Sequence, residues 1–492
     1  MSAVVAIDAG TSGVRSRAIF ADGRPSIASY REFPQYFPQP GWVEHDALEI
    51  WSAVLQTLGE VIAQLDVPIT AIGITNQRET VVAWDKSTGI PFGRAIVWQD
   101  RRTADRCQEL QPLLARVRAI SGLVLDPYFS GSKIQWMMNN GQIPFTSNLA
   151  VGTIDSWIIW NLTGGKSFVT DPTNASRTML FDIGNMHWSQ ELCSMFDVPI
   201  DSLPTVVPSS GRCGVTVTVL NACNDFKIPS GIPISGIAGD QQAALFGQAC
   251  FDIGSSKNTY GTGSFVLMNV GTTCPPPIEG MLTTVAWDLG SGKPTYALEG
   301  SIFVTGSAVQ WLRDGINIID NASDVGPLAA SVPDSGGVVI VPAFTGLGSP
   351  WWDPHARGII CGITRGTRRA HFARAVVQSM AFQTRDVVDA MVRATGVPLV
   401  DMRVDGGAAV MDTMLQMQAD QLGVSVVRPV DLETTSLGAA YLAGLAEGVW
   451  SSLQAISDSW QLDCMFTPNP NAATDSDYST WKRAVERSRN WS

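Results

Sequence analysis

The chain has 492 residues, room for two or more domains at ~100–200 residues each and for a core that needs no covalent staples. Hydrophobic residues are 45% and charged residues 16%, which excludes a disordered chain. With Lys+Arg 33 against Asp+Glu 45 the net charge is −12, which argues against nucleic acid as a partner, because a phosphate-backbone binder needs a basic face.

None of the eight cysteines has CxxC spacing, and the four histidines are far apart. That pattern argues against a structural zinc site and fits thiols in a reducing cytoplasm. No apolar run reaches the ~18 residues of a membrane-crossing helix. The N-terminus lacks a basic region and Asp8 interrupts its apolar run, unlike a secretory signal.

In chain order, residues 4–7 read as a buried strand, and Asp8 to Gly13 as a turn. Arg15 to Phe20 reads as a second strand, and Asp22-Gly23 as a hairpin turn. Strand, Gly/Thr turn, strand differs from a P-loop, where a helix follows the turn. Asp46-Ala-Leu-Glu49 has the form of a capping box. Leu48, Trp51, Leu55, Leu58, Ile62 and Leu65 then predict a helix with that stripe toward a core. Ile69 to Thr75 reads as a strand with Asn76-Gln77-Arg78-Glu79 at its C-terminal end, the end at which α/β sheets bind ligands. Strands alternating with helical patterns make the class α/β. A short helix is expected near Tyr478 to Arg489.

Gly10-Thr11-Ser12-Gly13 recurs in kind as Gly261-Thr262-Gly263-Ser264, about half a chain later. Each turn alone reads as an ordinary hairpin. As a pair, they would suit a phosphate chain clasped between two similar halves, Gly admitting backbone N–H groups and Thr adding a hydroxyl. Asp240, after an apolar segment, reads either as a helix N-cap or as a general base. Arg78-Glu79 reads as a surface ion pair or as a grip on hydroxyls. Trp98 and Phe265 read as core residues or as apolar walls. Asp405-Gly-Gly-Ala408 is a turn, or a place where a nucleotide lies against backbone. There is no GxGxxG opening a helix and no GxSxG, so Rossmann and Ser/His/Asp chemistry have no support.

The Asp8-x-Gly-Thr-Ser-Gly turn, the later Gly-Thr-Gly and Asp405-Gly-Gly resemble the phosphate and adenosine motifs of the actin, hexokinase and heat-shock chaperone superfamily. Tyr128-Phe-Ser-Gly-Ser-Lys-Ile-Gln-Trp136 and Thr434-Thr-Ser-Leu-Gly-Ala-Ala-Tyr-Leu-Ala-Gly444 resemble the two signatures of the FGGY carbohydrate kinases. Within that family, the segments starting at Pro38, Gly73, Ile96, Gly236 and Asn258 are similar to those of the members that phosphorylate glycerol, and the likeness runs from about Val4 to Trp450.

The resemblance implies an α/β fold of two ribonuclease-H-like, actin/hexokinase-type domains, 1–249 with the glycerol site and 250–492 with the adenosine site, flanking a cleft. It implies ATP-dependent phosphorylation of glycerol to sn-glycerol 3-phosphate. Glycerol would be held by Arg78, Glu79, Trp98, Tyr128, Asp240, Gln241 and Phe265, with Asp240 and Arg15 catalytic. ATP would meet Thr11, Ser12, Arg15, Gly261, Thr262, Gly306, Gln310, Gly407, Ala408 and Met411, and Asp8 would hold Mg²⁺ through water. A cytoplasmic homo-oligomer, dimer or tetramer, is implied as well. The alternatives are an FGGY kinase for another small polyol or sugar, and a catalytically silent nucleotide-binding protein of this fold. The chain departs from the glycerol-specific pattern at Ala9 and Gly13, where Gln and Ser are usual, and at Met411, where Asn is usual. The stretch before Ile232 also lacks the Gly-Gly-x-x-Gly-Thr-Arg loop that binds fructose 1,6-bisphosphate in some members.

Overall fold

The structure is a computed structural model. It describes residues 2–141, 143–220, 227–470 and 474–491; Cys223 lies outside the described residues. Two sheets organise the chain. The first contains β1 (Ala3–Ala9), β2 (Gly13–Phe20), β3 (Ile27–Glu32), β4 (Ile69–Asn76), β5 (Ser210–Val215) and β6 (Pro233–Gly239), in the order β5-β6-β4-β1-β2-β3. β1, β4 and β6 run parallel, while β2 and β3 return as an antiparallel meander. The second contains β7 (Ser255–Tyr260), β8 (Ser264–Gly271), β9 (Leu282–Trp287), β10 (Thr295–Ile302), β11 (Asp401–Gly406), β12 (Val426–Pro429) and β13 (Leu462–Phe466), in the order β9-β10-β8-β7-β11-β12-β13. Here β7, β11 and β12 are parallel and β7, β8 and β10 form the meander. The two sheets repeat one plan, and the recurring Gly/Thr turns are the same feature in each, the hairpin between the first two strands.

The strands follow from the sequence. Val4, Val5, Ala6 and Ile7 are all fully buried, as a continuous apolar run with helices on both faces requires. The strand continues through Asp8 and Ala9, so the turn is shorter than its composition suggests. Helix α1 (Ala47–Ala63) is capped by Asp46, whose side chain accepts from the Leu48 N–H at 2.8 Å. The box is only half formed, because Glu49 accepts from the Tyr36 hydroxyl at 2.9 Å instead. The helix faces the core slightly off the expected stripe: Leu48 is 53% exposed, whereas Ile50, Val54, Leu58 and Val61 are fully buried. The C-terminal helix spans Thr474–Ser488.

Helix α2 (Asp240–Gly247) follows β6, and α5 (Thr434–Ala446) closes the second half; α3 (Arg369–Thr395) and α4 (Asp412–Leu422) lie between them in sequence. α5 packs on β1, β4 and β6 of the first sheet and on α2, so the two halves meet through these two helices. Their approach needs glycine. A Cβ on Gly438 would stand 1.8 Å from the Ala243 carbonyl oxygen, and one on Gly247 2.0 Å from that of Thr434. Apolar residues of α2 and α5 join Val4, Ala6 and Leu267 in one buried cluster between the sheets. No helix among the described residues is long and apolar enough to cross a membrane.

Candidate active site

The C-terminal ends of β4 and β6 deliver the charged residues. Thr80 N–H bonds back to the Arg78 carbonyl at 2.7 Å, and this tight turn holds Glu79 at φ 61°, a strained conformation for a residue with a side chain. Arg78 and Glu79 are each 2% exposed at the side chain, so they are no surface pair. The Arg78 fork donates to both oxygens of Glu299 at 2.5 and 3.0 Å, to Gln242 at 3.2 Å and to the Tyr128 hydroxyl at 3.3 Å. Its Nε stands 3.2 Å from Asp240. Arg177, fully buried, donates to Glu79 at 2.6 Å and to Glu299 at 2.9 Å. Arg177 is carried beside β4 by the short turn Pro172–Ala175, which Asp171 caps. Thr173 of that turn also accepts from the Gly239 N–H at 2.8 Å, one residue before Asp240.

Asp240 is not the N-cap of α2; Gly239 is, and Asp240 opens the helix with its carboxylate accepting from the Gln241 N–H at 2.7 Å. Its side chain keeps 30% exposure. Burial raises its pKa against the pull of Arg78 and Lys257, so it is a stronger base than a solvated carboxylate. Lys257 of β7 donates to the Gln241 side-chain oxygen and, at 2.8 Å, to Thr259. Burial pushes Lys257 down to about 8. Burial also works to raise Glu299, yet Arg177 and Arg78 outweigh it and hold Glu299 at about 2. Phe265 pairs with Thr259 and Ser301, and Leu267 with Lys257 and Glu299. Strand alternation therefore puts Phe265 on the same sheet face as Lys257 and Glu299.

Trp98 and Tyr128 stand edge to face at 5.6 Å between ring centroids. The Trp98 indole N–H donates to the Thr11 hydroxyl at 2.9 Å, so the aromatic wall touches the first Gly/Thr turn. Ser12 is exposed, with its hydroxyl 3.4 Å from that of Tyr30. Asp8 lies opposite Arg15 in the β1–β2 pairing. Burial, and then the Asp240 carboxylate, push Asp8 up to about 7, while Arg15 opposes the shift. Arg15 is ion-paired with Glu433, just before α5, as Arg17 is with Asp431. The second turn is tied to the helix Gly306–Gln310. The Gly261 carbonyl accepts from Gly306 at 3.0 Å, and that of Thr262 from Thr305 at 2.9 Å and Ser307 at 3.1 Å. Gly261, Thr262, Gly306, Gln310, Gly407, Ala408 and Met411 line one cavity of about 810 Å³.

Most of the residues singled out from the sequence fall into two groups, a polar pocket around Arg78 and Asp240 and the cavity at Thr262, while Asp8, Thr11, Ser12 and Arg15 lie on the first Gly/Thr turn and its flanking strands, outside that cavity and tied to the aromatic wall through Thr11 and Trp98. Sequence reasoning missed Arg177, Gln242, Lys257 and Glu299. The one available signal was an ionisable side chain on the inward face of an otherwise apolar strand, as with Glu299 in Tyr-Ala-Leu-Glu-Gly-Ser-Ile. Chemically, the pocket offers a basic carboxylate and fixed hydrogen-bonding groups beside two turns that present backbone and hydroxyl donors. That set suits removal of a proton from an alcohol next to a phosphate chain.

Comparison with known proteins agrees with this geometry. Residues 3–247 match the family model for the N-terminal domain of the FGGY family of carbohydrate kinases, and residues 256–447 that for its C-terminal domain. The chain belongs to the FGGY family of carbohydrate kinases. Among its relatives, the glycerol kinase of Symbiobacterium thermophilum is 52% identical, with 99% of this chain and 98% of the relative covered. Glycerol kinase 2 of Thermotoga maritima is 51% identical, covering 100% and 99%. The solved structure of Plasmodium falciparum glycerol kinase with ADP superposes with a TM-score of 0.92 at 34% identity, covering 99% of this chain and 98% of that one.

Proposed function

We propose that this chain is an ATP:glycerol 3-phosphotransferase that makes sn-glycerol 3-phosphate. The observation that carries the reading is buried Arg78, which braces Asp240 at 3.2 Å on one side and Glu299 at 2.5 Å on the other. A small triol offers the hydroxyls that Arg78 and Glu79 would bind, and a carbon skeleton for Trp98, Tyr128 and Phe265 to cover, with Gln241 held alongside by Lys257. Asp240 orients a terminal hydroxyl and takes its proton as the oxygen attacks the transferred phosphoryl group. Arg15 and the N–H and hydroxyl groups of Thr11, Ser12, Gly261 and Thr262 stabilise the phosphate oxygens. Gly306, Gln310, Gly407, Ala408 and Met411 hold the adenosine. The halves 1–249 and 250–492 are the two domains of this cleft.

Mg²⁺ fits beside Asp8. That carboxyl is pushed up to about 7 by burial and by Asp240, an excess of negative charge that a divalent cation relieves. Among the described residues no three His, Cys, Asp or Glu side chains gather as a cage. This accords with an ion held by one carboxylate, water and the nucleotide. When bound, the ion neutralises charge on the phosphate oxygens. On the family resemblance, the protein is a cytoplasmic homo-oligomer, dimer or tetramer, a state that sedimentation measures directly.

The test is ATP consumption by the purified protein across glycerol, erythritol, xylulose and ribulose. Glycerol should give the highest kcat/KM, with sn-glycerol 3-phosphate as product. Preference for another acceptor would move the chain to a different FGGY specificity, and no acceptor-dependent turnover would make it a silent member.

A further inference from the structure

The aromatic wall and the first Gly/Thr turn are joined by more than one bond. Gln77, 1% exposed, lies immediately before Arg78. Its side-chain NH₂ donates to the Gly10 carbonyl at 3.1 Å and faces His45 Nδ1 at 3.2 Å. A carbonyl oxygen only accepts, so the NH₂ end must face Gly10 and the amide oxygen must point away. That oxygen accepts from the Thr80 hydroxyl at 3.0 Å. The Thr80 hydroxyl in turn accepts from the Trp98 backbone N–H at 3.2 Å. Trp98 then donates through its indole to Thr11 at 2.9 Å, and Thr11 is peptide-bonded to Gly10. The circuit Gly10–Gln77–Thr80–Trp98–Thr11 therefore closes on itself.

Two features make it directional. The Thr11 oxygen is occupied as an acceptor, so its own hydrogen is free to donate, and no acceptor among the described residues takes it. His45, fully buried and packed edge-on against Phe33 at 4.9 Å, is pushed down to about 4 by burial. Neutral, and facing the Gln77 NH₂, it accepts at Nδ1 as the Nε2–H tautomer, whose Nε2 has no partner among the described residues. The Thr80–Gln77 bond at the centre of the circuit is buried, so breaking it would strand buried groups, whereas the bonds at Gly10, Trp98 and Thr11 are partly buried and leave that end free to tighten when the indole is packed.

We propose that Gln77 and Thr80 are positioning residues that couple the polyol pocket at Trp98 to the phosphate-holding turn at Gly10 and Thr11, so that a polyol packed on Trp98 tightens nucleotide binding. This rests on the functional reading above. A polyol that fixes the indole fixes the Thr11 hydroxyl, and through Thr80 and Gln77 it fixes the carbonyl of Gly10. By linkage the nucleotide tightens polyol binding by the same factor.

The experiment measures glycerol dissociation by calorimetry with and without a non-hydrolysable Mg·ATP analogue, in the wild type, Thr80→Val, Gln77→Met and Thr80→Ser. The ratio of the two constants is the coupling factor. The wild type should give ~10-fold or more, within the usual range for coupled sites. Thr80→Val and Gln77→Met keep volume but break the circuit, and should bring the factor within about twofold of one, while glycerol affinity without nucleotide changes by less than ~3-fold. Thr80→Ser keeps the hydroxyl and should keep the coupling. If Thr80→Val does not fold, Gln77→Met decides alone. A wild-type factor of one overturns the proposal, as does an unchanged factor in the variants, including equal losses of glycerol affinity in both conditions. Absence of glycerol binding by the wild type overturns the functional reading instead, and this inference with it.

Discussion

Removing the Arg78 guanidinium tests the site at its centre. Arg78→Ala strips Glu299 of its bonds at 2.5 and 3.0 Å and leaves it Arg177 at 2.9 Å, while Asp240 loses the cation at 3.2 Å. Taking one partner from a buried ion pair typically costs ~3–5 kcal/mol, a large part of the ~5–15 kcal/mol that holds a domain folded. Glu299 is fully buried and cannot turn to solvent. The variant should therefore unfold at clearly lower denaturant concentration and recover part of the loss as pH drops and carboxyls protonate. A hydrogen bond from a charged donor is worth ~1.5–3 kcal/mol, or about 10- to 150-fold in glycerol affinity at ~1.4 kcal/mol per tenfold. Arg78→Lys keeps the charge but cannot brace Glu299, Asp240 and Tyr128 together, so it should rescue stability better than binding. None of the residues lining the 810 Å³ cavity bonds to Arg78, so nucleotide affinity should persist. Chemical denaturation, calorimetry with glycerol and nucleotide titration separate these effects. A folded Arg78→Ala enzyme with unchanged stability and unchanged glycerol KM would refute the reasoning.

Asp240→Asn should lower kcat by ~10²–10⁴, the usual cost of a lost general base, with little change in glycerol KM; near-normal turnover would remove Asp240 from that role. Because burial and Asp240 raise Asp8 to about 7, Asp8 takes up a proton as pH falls through that value. kcat/KM for ATP should fall on the acid side, and more Mg²⁺ should move the limb to lower pH; a limb that ignores Mg²⁺ would detach Asp8 from the metal. Met411 lies in the 810 Å³ cavity against Gly326, where an added Cβ would come within 3.1 Å of the Met411 Cγ, and the neighbouring Asp412 carboxylate is engaged by Arg428 at 2.8 Å. Selectivity for ATP over GTP and ITP should be weak and should rise up to about tenfold in Met411→Asn, the worth of one neutral hydrogen bond; strong wild-type selectivity lost only in Asp412→Ala would assign the role to Asp412.

What the sequence made legible is what local chemistry encodes. The fully buried Val4–Ile7 strand, the Asp46 cap and the two hairpin turns are set by runs, side-chain oxygens and glycines within a few residues of each other. The α1 stripe is displaced because the helix packs chiefly on β2 and β3, with Ile50, Val54 and Val61 buried and Leu48 left to solvent. The Arg78-Glu79 pair was ambiguous for the same reason. Adjacent opposite charges look alike on a surface and in a core, and only Arg177 and Glu299, brought from 98 and 221 residues away, decide between the two. Asp240 looked like a cap because a carboxylate at a helix start normally is one; here Gly239 takes the capping position and frees the carboxylate to face Arg78.

The distribution of charge closes the argument. The chain as a whole carries −12, yet Arg78, Arg177 and Lys257 are all buried at one place, where Asp8, Glu79, Asp240 and Glu299 nearly balance them. Burying any of these charges alone would be prohibitive, and mutual pairing lowers that cost. The balance is uneven in a useful way. Glu299 is saturated by two guanidinium groups and held at about 2, so it stays a carboxylate and serves as a fixed strut. Asp240 has one guanidinium contact, 30% exposure and a raised pKa, so it can still take a proton from a hydroxyl. Asp240 and Glu299, both on Arg78, thus differ because Arg177 reaches only Glu299 of the two, and on the proposed reading the second half of the chain supplies the strut while the first supplies the base.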